Sequence, residues 1–239
     1  MKSLFVAFLV LPFVVFAQQD DEKKAFELYG EGIKYFYSND FENALVKFNE
    51  AIALKQDFQY AYYNRGLSQY KLKNYTEAAT DLSVVLKLDS NNIDAYKNRG
   101  LAYMKINEYD NALSDFQHLI AFNPSVLEPY KYLGLCYYYK RKYKLANEAF
   151  SIYLESYFDD TEVWFQKGLS NYYYADFDVA IKDFTEVLNL NANYITALEW
   201  RGKAYQKANL IKKACEDWNT AVSKNLESSK ALLQQYCEQ

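Results

Sequence analysis

Nucleophilic catalysis needs a Ser, Cys or Thr beside a base, and this 239-residue chain holds one histidine, His118, with no Ser or Cys motif near it. Metal ligation needs clustered His, Cys or carboxylates. The three cysteines, Cys136, Cys215 and Cys237, form no such spacing with His118. No glycine-rich stretch resembles a phosphate cradle. The chain is therefore expected to be no enzyme, with no cofactor and no metal. Asn74-Tyr75-Thr76 matches a glycosylation sequon, which matters only in a eukaryotic secretory pathway. The abundant chemistry is phenolic instead, with 25 tyrosines in a chain that is 18% aromatic.

Charge and leader narrow the class. Met-Lys-Ser, an apolar run from Leu4 to Phe16 and Ala17 before Gln18-Gln19-Asp20-Asp21 read as a cleavable signal over residues 1–17. The expected location is periplasmic or secreted, with no stable membrane span once the signal is removed, because the run is short for a spanning helix. The mature chain then carries 26 basic and 31 acidic residues. Such a surface repels phosphate backbones and excludes nucleic acid as a partner.

The elements that position the tyrosines follow from an internal repeat. Gly32, Gly66, Gly100, Gly134, Gly168 and Gly202 stand 34 residues apart, each followed twelve residues later by Ala44, Ala78, Ala112, Ala146, Ala180 or Ala214. Short turns divide each repeat into two helices: Ser38-Asn39-Asp40, Lys73-Asn74, Asn107-Glu108, Arg141-Lys142, Ala175-Asp176 and Ala208-Asn209. Asp57, Asn91, Ser125, Asp159 and Asn193 are expected to cap the first helices. Each glycine and its alanine lie equally far from the turn, which predicts a small-residue contact between antiparallel helices.

A second series supports the hairpin. The residue before each glycine and the one fifteen after it read Glu31/Lys47, Arg65/Asp81, Arg99/Asp115, Leu133/Ala149, Lys167/Asp183 and Arg201/Asp217. The charges swap sign together in the first repeat and vanish together in the fourth. This predicts one ion pair inside each of five repeats, worth at most about 1 kcal/mol if exposed. The fourth repeat also carries Pro129 and Tyr153, and a bend, a contact or drift would each account for its difference.

An aromatic or Leu four before the glycine, Tyr35, Tyr103, Tyr137 and Tyr205 three after it, then Phe41, Tyr75, Tyr109, Tyr143 or Phe177, with period 34, resemble the tetratricopeptide repeat. The resemblance covers residues 25–228. It implies an all-α, right-handed α-solenoid of six helix-turn-helix repeats (25–58, 59–92, 93–126, 127–160, 161–194, 195–228), with the first helices lining a concave groove. A flexible lead over 18–24 and a capping helix over 229–239 complete the layout. In that family some members grip a carboxylate-terminated tail with an Asn just after the glycine. Here Ile33, Leu67, Leu101, Leu135, Leu169 and Lys203 occupy that position, so the clamp is absent.

Cys215 and Cys237 flank a turn near residue 226, and hairpin symmetry brings them together. A disulfide, which an exported compartment allows, and two reduced buried thiols both fit. Cys136 occupies a small-residue position and reads as a buried thiol.

The other face of the first helices is the informative surface. Its candidates for a partner-binding groove are Tyr29, Phe36, Tyr37, Tyr63, Tyr70, Lys97, Lys131, Tyr138, Tyr139, Phe165, Tyr172 and Tyr173. Tyrosine offers apolar area with a polar tip at small entropic cost. The expected function is an exported scaffold that binds a peptide or partner protein. A self-associating structural subunit and glycan binding are the alternatives, and the oligomeric state is open.

Overall fold

The computed structural model describes residues 7–238, with side chains from Gln19. Residues 1–6 of the expected signal lie outside the described residues, as do the side chains of the rest of it. Thirteen helices and no strand occur among the described residues. They are α1 (Ala7–Tyr37), α2 (Phe41–Leu54), α3 (Gln59–Lys71), α4 (Tyr75–Leu88), α5 (Ile93–Lys105), α6 (Tyr109–Phe122) and α7 (Glu128–Tyr139), followed by α8 (Tyr143–Leu154), α9 (Thr161–Tyr173), α10 (Phe177–Leu190), α11 (Ile195–Lys207), α12 (Ile211–Ser223) and α13 (Ser228–Tyr236). The fold is an all-α solenoid of helical hairpins. It divides into two compact units, up to Asp115 and from Phe116 onward, with the division inside α6.

Every hairpin turn has one left-handed residue seven after its glycine: Asn39, Lys73, Asn107, Arg141, Ala175 and Asn209, with φ between 57° and 67°. The next amide reaches back to a carbonyl five residues earlier, as in Asn74 to Gln69 (2.9 Å) and Asp176 to Asn171 (2.9 Å). This closes the helix with a Schellman-type cap. Between repeats only α5 and α9 carry side-chain caps, one residue later than expected, and α3, α7 and α11 start at Phe58, Leu127 and Tyr194 without one, so Asp57, Ser125 and Asn193 do not cap. Asn92 accepts from the Ala95 amide (2.9 Å) and Asp160 from the Val163 amide (3.2 Å). Asn91 and Asn193 instead donate backbone amides to Asp89 and Asn191 in the preceding turns.

The glycines serve a different neighbour from the one expected. Ala44, Ala78, Ala112, Ala146, Ala180 and Ala214 are fully buried, yet the space beside most glycines belongs to the residue sixteen further on. A Cβ on Gly32 would lie 2.5 Å from the Phe48 ring, and one on Gly168 2.7 Å from the Phe184 ring. Phe150 occupies that place over Gly134 and Trp218 over Gly202. Gly66 is looser, with Leu82 Cγ at 3.2 Å and the Ala78 carbonyl oxygen at 3.4 Å. The glycine makes room for a ring whose burial drives the hairpin together.

The ion pairs form as the sequence predicts. Arg65 Nε and Nη2 donate to the two oxygens of Asp81 (2.8 and 2.6 Å), and Arg99 and Arg201 treat Asp115 and Asp217 alike. Lys167 meets Asp183 at 2.7 Å and Lys47 meets Glu31 at 3.1 Å. Except for Glu31–Lys47 they are not surface pairs, since Asp115 is 2% exposed and Asp81, Asp183 and Asp217 are buried too. The third arginine nitrogen reaches the preceding repeat: Arg65 Nη1 to Asn49 (2.6 Å), Arg99 Nη1 to Ser83 (3.0 Å), Arg201 Nη1 to Thr185 (3.1 Å). One guanidinium thus fastens a hairpin to itself and to its predecessor.

Two terminal features complete the fold. Residues 18–24 are helical and continuous with α1, and Lys55 donates to Glu22 at 2.6 Å. The expected flexible lead is thus helical here, with the side chains of residues 19–24 exposed. At the other end α13 lays Leu233 onto Ala214 and Trp218, with Leu232 and Tyr236 beside it. A Cys215–Cys237 disulfide fixes it, with a Cα–Cα distance of 5.9 Å. Glu199 accepts from Ser228, Ser229 and Lys203 and ties α13 to α11.

Candidate functional site: the aromatic face of the first helices

In the first unit the face is largely committed to packing. The Tyr29 hydroxyl accepts from Asn64 Nδ2 (3.0 Å) and the Tyr63 hydroxyl from Asn98 Nδ2 (3.1 Å). Each tyrosine is therefore a rung between one first helix and the next. Burial raises both phenols above their ordinary pKa. Phe36 packs edge-on against Phe41, and Tyr70 against Tyr75. Lys97 is half-buried on α5. Tyr37 and Tyr60 project, 80% and 63% exposed.

The second unit brings more of the candidates together. Tyr138 on α7 lies 5.5 Å from Tyr139, 5.9 Å from Tyr143 and 6.3 Å from Tyr173. Tyr143 stacks on Tyr173 at 5.4 Å. Tyr172 and Tyr173 both meet Trp200 of α11, at 5.3 and 5.9 Å. Lys203 closes the row, its Nζ 4.2 Å above the Trp200 ring and its charge held by Glu199 at 2.6 Å. Six rings from three successive hairpins thus form one cluster. Tyr139 (53%) and Tyr173 (46%) keep about half of their surface exposed.

The electrostatics make this a neutral donor surface. Burial, with Tyr173, Tyr143 and Tyr139 around it, pushes the Tyr138 phenol up to about 12. Burial and its tyrosine neighbours raise Tyr172 as well. These hydroxyls stay protonated near neutral pH and donate hydrogen bonds, while the ring faces accept apolar groups.

Two expected groove residues do not line this surface. Phe165 is buried against Phe184 of its own hairpin and Tyr194 at the start of α11. Lys131 Nζ is bound to Asp160 (2.8 Å), whose same oxygen accepts from the Tyr153 hydroxyl (2.9 Å). Burial pushes the Asp160 carboxyl up, but the bonds from Lys131, Tyr153 and the Val163 amide outweigh it and hold it below its ordinary range.

Two members escaped sequence reasoning. Tyr143, the first residue of α8, matches an aromatic position of the repeat motif, which marks it as framework. Trp200 stands two before its glycine, where Asn64 and Asn98 build the rungs of the first unit. An aromatic at that polar position was the available signal.

Elsewhere, His118 is exposed on α6. No group of three or more His, Cys, Asp or Glu residues could hold a metal among the described residues. No helix of the described residues is long and apolar enough to cross a membrane. Cys136 is buried, and burial pushes its thiol up to about 12.

Comparison with known proteins agrees with this geometry. Residues 32–73 and 69–107 match one TPR repeat model, and residues 93–126 match the tetratricopeptide repeat model. No curated protein sequence matches the chain. Among solved structures, the C-terminal part of a TPR repeat-containing protein from Cytophaga hutchinsonii is 21% identical, with a TM-score of 0.72 over 82% of this chain and 78% of that one. MamA (residue 41 to the end) from Desulfovibrio magneticus is 24% identical, with a TM-score of 0.67 over 72% of this chain and 97% of its own. YrrB, described as a TPR protein with an unusual peptide-binding site, is 19% identical, with a TM-score of 0.68 over 77% of this chain and 95% of its own. With these matches in hand, residues 32–126 are tetratricopeptide repeats, and the helical hairpins that run on through α12 share the fold of tetratricopeptide-repeat structures.

Proposed function

We propose that this protein is an exported, non-enzymatic scaffold that binds an extended peptide segment of a partner protein on the aromatic face of its second unit. Tetratricopeptide proteins bind protein or peptide partners as a class, and YrrB of like fold carries a peptide-binding site. The observation that carries the reading is the cluster of Tyr138, Tyr139, Tyr143, Tyr172, Tyr173 and Trp200. Its rings pack on one another, so little entropy is lost when a ligand arrives. Protonated hydroxyls donate to peptide carbonyls, and ring faces take up apolar side chains or proline.

Selection of a displayed random-peptide library on the purified protein tests this. Selected peptides should lose about tenfold or more in affinity when Tyr173 and Trp200 become Ala, which is about 1.4 kcal/mol or more for hot-spot aromatics. Equal binding by the variant places the site elsewhere. Loss of binding on dimer formation in sedimentation would point instead to a second copy covering these rings. The leader over residues 1–17 and the disulfide of α13 support export. Cell fractionation with mass determination of the mature N-terminus tests that part.

A further inference from the structure

The fourth repeat breaks the guanidinium fastening that recurs elsewhere, and it does so by replacing both partners together. Leu133 stands where Arg65, Arg99 and Arg201 stand, and Ala149 where their aspartates stand. Gln117 occupies the position of Asn49, Ser83 and Thr185, which receive the third arginine nitrogen in those repeats. A cavity of about 370 Å³ opens there, between the end of α6, α7 and α8, with Leu133 and Ala149 in its wall. Its volume is at the small end of the range of about 300 to 1,000 Å³ for small-molecule sites.

The wall has a definite polarity. Leu133, Ala149 and Ile152 give it an apolar floor, and the Tyr130 and Tyr137 rings flank it. The Gln117 amide nitrogen is turned to the Tyr137 hydroxyl at 3.4 Å, which leaves its oxygen as an acceptor. Glu148 supplies the one charge in the lining, an exposed carboxylate. Beside the Tyr130 and Tyr137 hydroxyls, the Gln117 oxygen and the Glu148 carboxylate both favour a donor, and the charge favours a cation.

We infer that this cavity is a binding site for a small amphipathic amine, its apolar tail on Leu133 and Ala149 and its ammonium group at Glu148 and Gln117. The site is separate from the aromatic cluster, since Tyr137, not Tyr138, lines it. It stands whether or not that cluster binds peptide.

Titration of the mature protein with n-octylammonium, octan-1-ol and octanoate, followed by calorimetry, tests the site. The amine should bind saturably, and octanoate about tenfold more weakly or not at all. Glu148→Gln should bring the amine to the affinity of the alcohol. The pair Leu133→Arg with Ala149→Asp, which restores the fastening of the other repeats, should abolish amine binding without lowering Tm. Should that pair fail to fold, Ala149→Phe fills the same space and carries the same prediction. Undetectable binding by the unaltered protein, equal binding of octanoate and amine, or binding that survives the filled cavity overturns the inference.

Discussion

The Arg65–Asp81 pair gives the sharpest test of how the hairpins are held. Arg65 donates twice to Asp81 and once to Asn49, with its guanidinium 5.1 Å over the Tyr62 ring. The Asp81 side chain is 7% exposed and the Arg65 side chain 21%. Arg65→Leu strands a buried carboxylate and should cost about 3 to 5 kcal/mol. Asp81→Ala strands a guanidinium that reaches water and still holds Asn49, so it should cost less, about 2 kcal/mol. The double variant reproduces what the fourth repeat carries at Leu133 and Ala149. It should cost less than Arg65→Leu alone, so the coupling energy from a double-mutant cycle should be about 2 kcal/mol or more. Urea unfolding followed by circular dichroism reads all three, with the slope checked because repeat arrays can unfold in stages. Additive single costs, or an Arg65→Leu cost under about 1 kcal/mol, would show that the pair behaves as a surface ion pair.

Further predictions concern the glycines, the turns and the C-terminal cap. Gly168→Ala sets a methyl against the Phe184 ring and should destabilise by about 1 to 3 kcal/mol, whereas Gly66→Ala meets Leu82, Asp81 and the Ala78 carbonyl oxygen at 3.2 to 3.4 Å, so its neighbours need give only slightly and its cost in thermal melts should be smaller, under about 1 kcal/mol. Ala175→Gly relieves a left-handed alanine at φ 67° and should raise stability by about 1 kcal/mol in the same assay. Reduction of Cys215–Cys237, which spans 22 residues, should cost about 3 kcal/mol and release α13 first in hydrogen exchange, with one labelled thiol in denatured protein becoming three. Burial pushes the Glu199 carboxyl up, but Lys203, Ser228 and Ser229 outweigh it and hold it below its ordinary value. Its contribution is therefore full above the unfolded carboxylate pKa and lost as pH falls through the lower folded value. Glu199→Gln should flatten that acid limb of Tm against pH, and an unchanged limb would contradict it.

Period-34 spacing was enough to read the hairpins, because glycine, alanine and the paired charges recur at fixed distances from each turn. The ion pairs were legible for the same reason: Glu31/Lys47 and Arg65/Asp81 change sign together. What the spacing hides is which atoms fill a gap. The ring of Phe48, not Ala44, meets Gly32, since a long side chain reaches across the helix axis where a methyl does not. The face of the first helices was legible as a stripe but not as a site. Phe165 and Lys131 share that stripe yet turn to the core and to Asp160, whereas Trp200 lies off it and joins the cluster. Helical periodicity fixes direction from the axis, and neighbouring helices then decide which rings meet.

The central claim is that the rings of the second unit form the partner surface. Hydroxyl-radical footprinting of the complex with a selected peptide tests it most directly, since tyrosine and tryptophan report their own exposure. The account predicts protection at Tyr139, Tyr173 and Trp200, with Tyr157 and Phe158 unchanged as exposed controls. Unchanged oxidation at those three rings, with protection at Tyr157 and Phe158 instead, would contradict it.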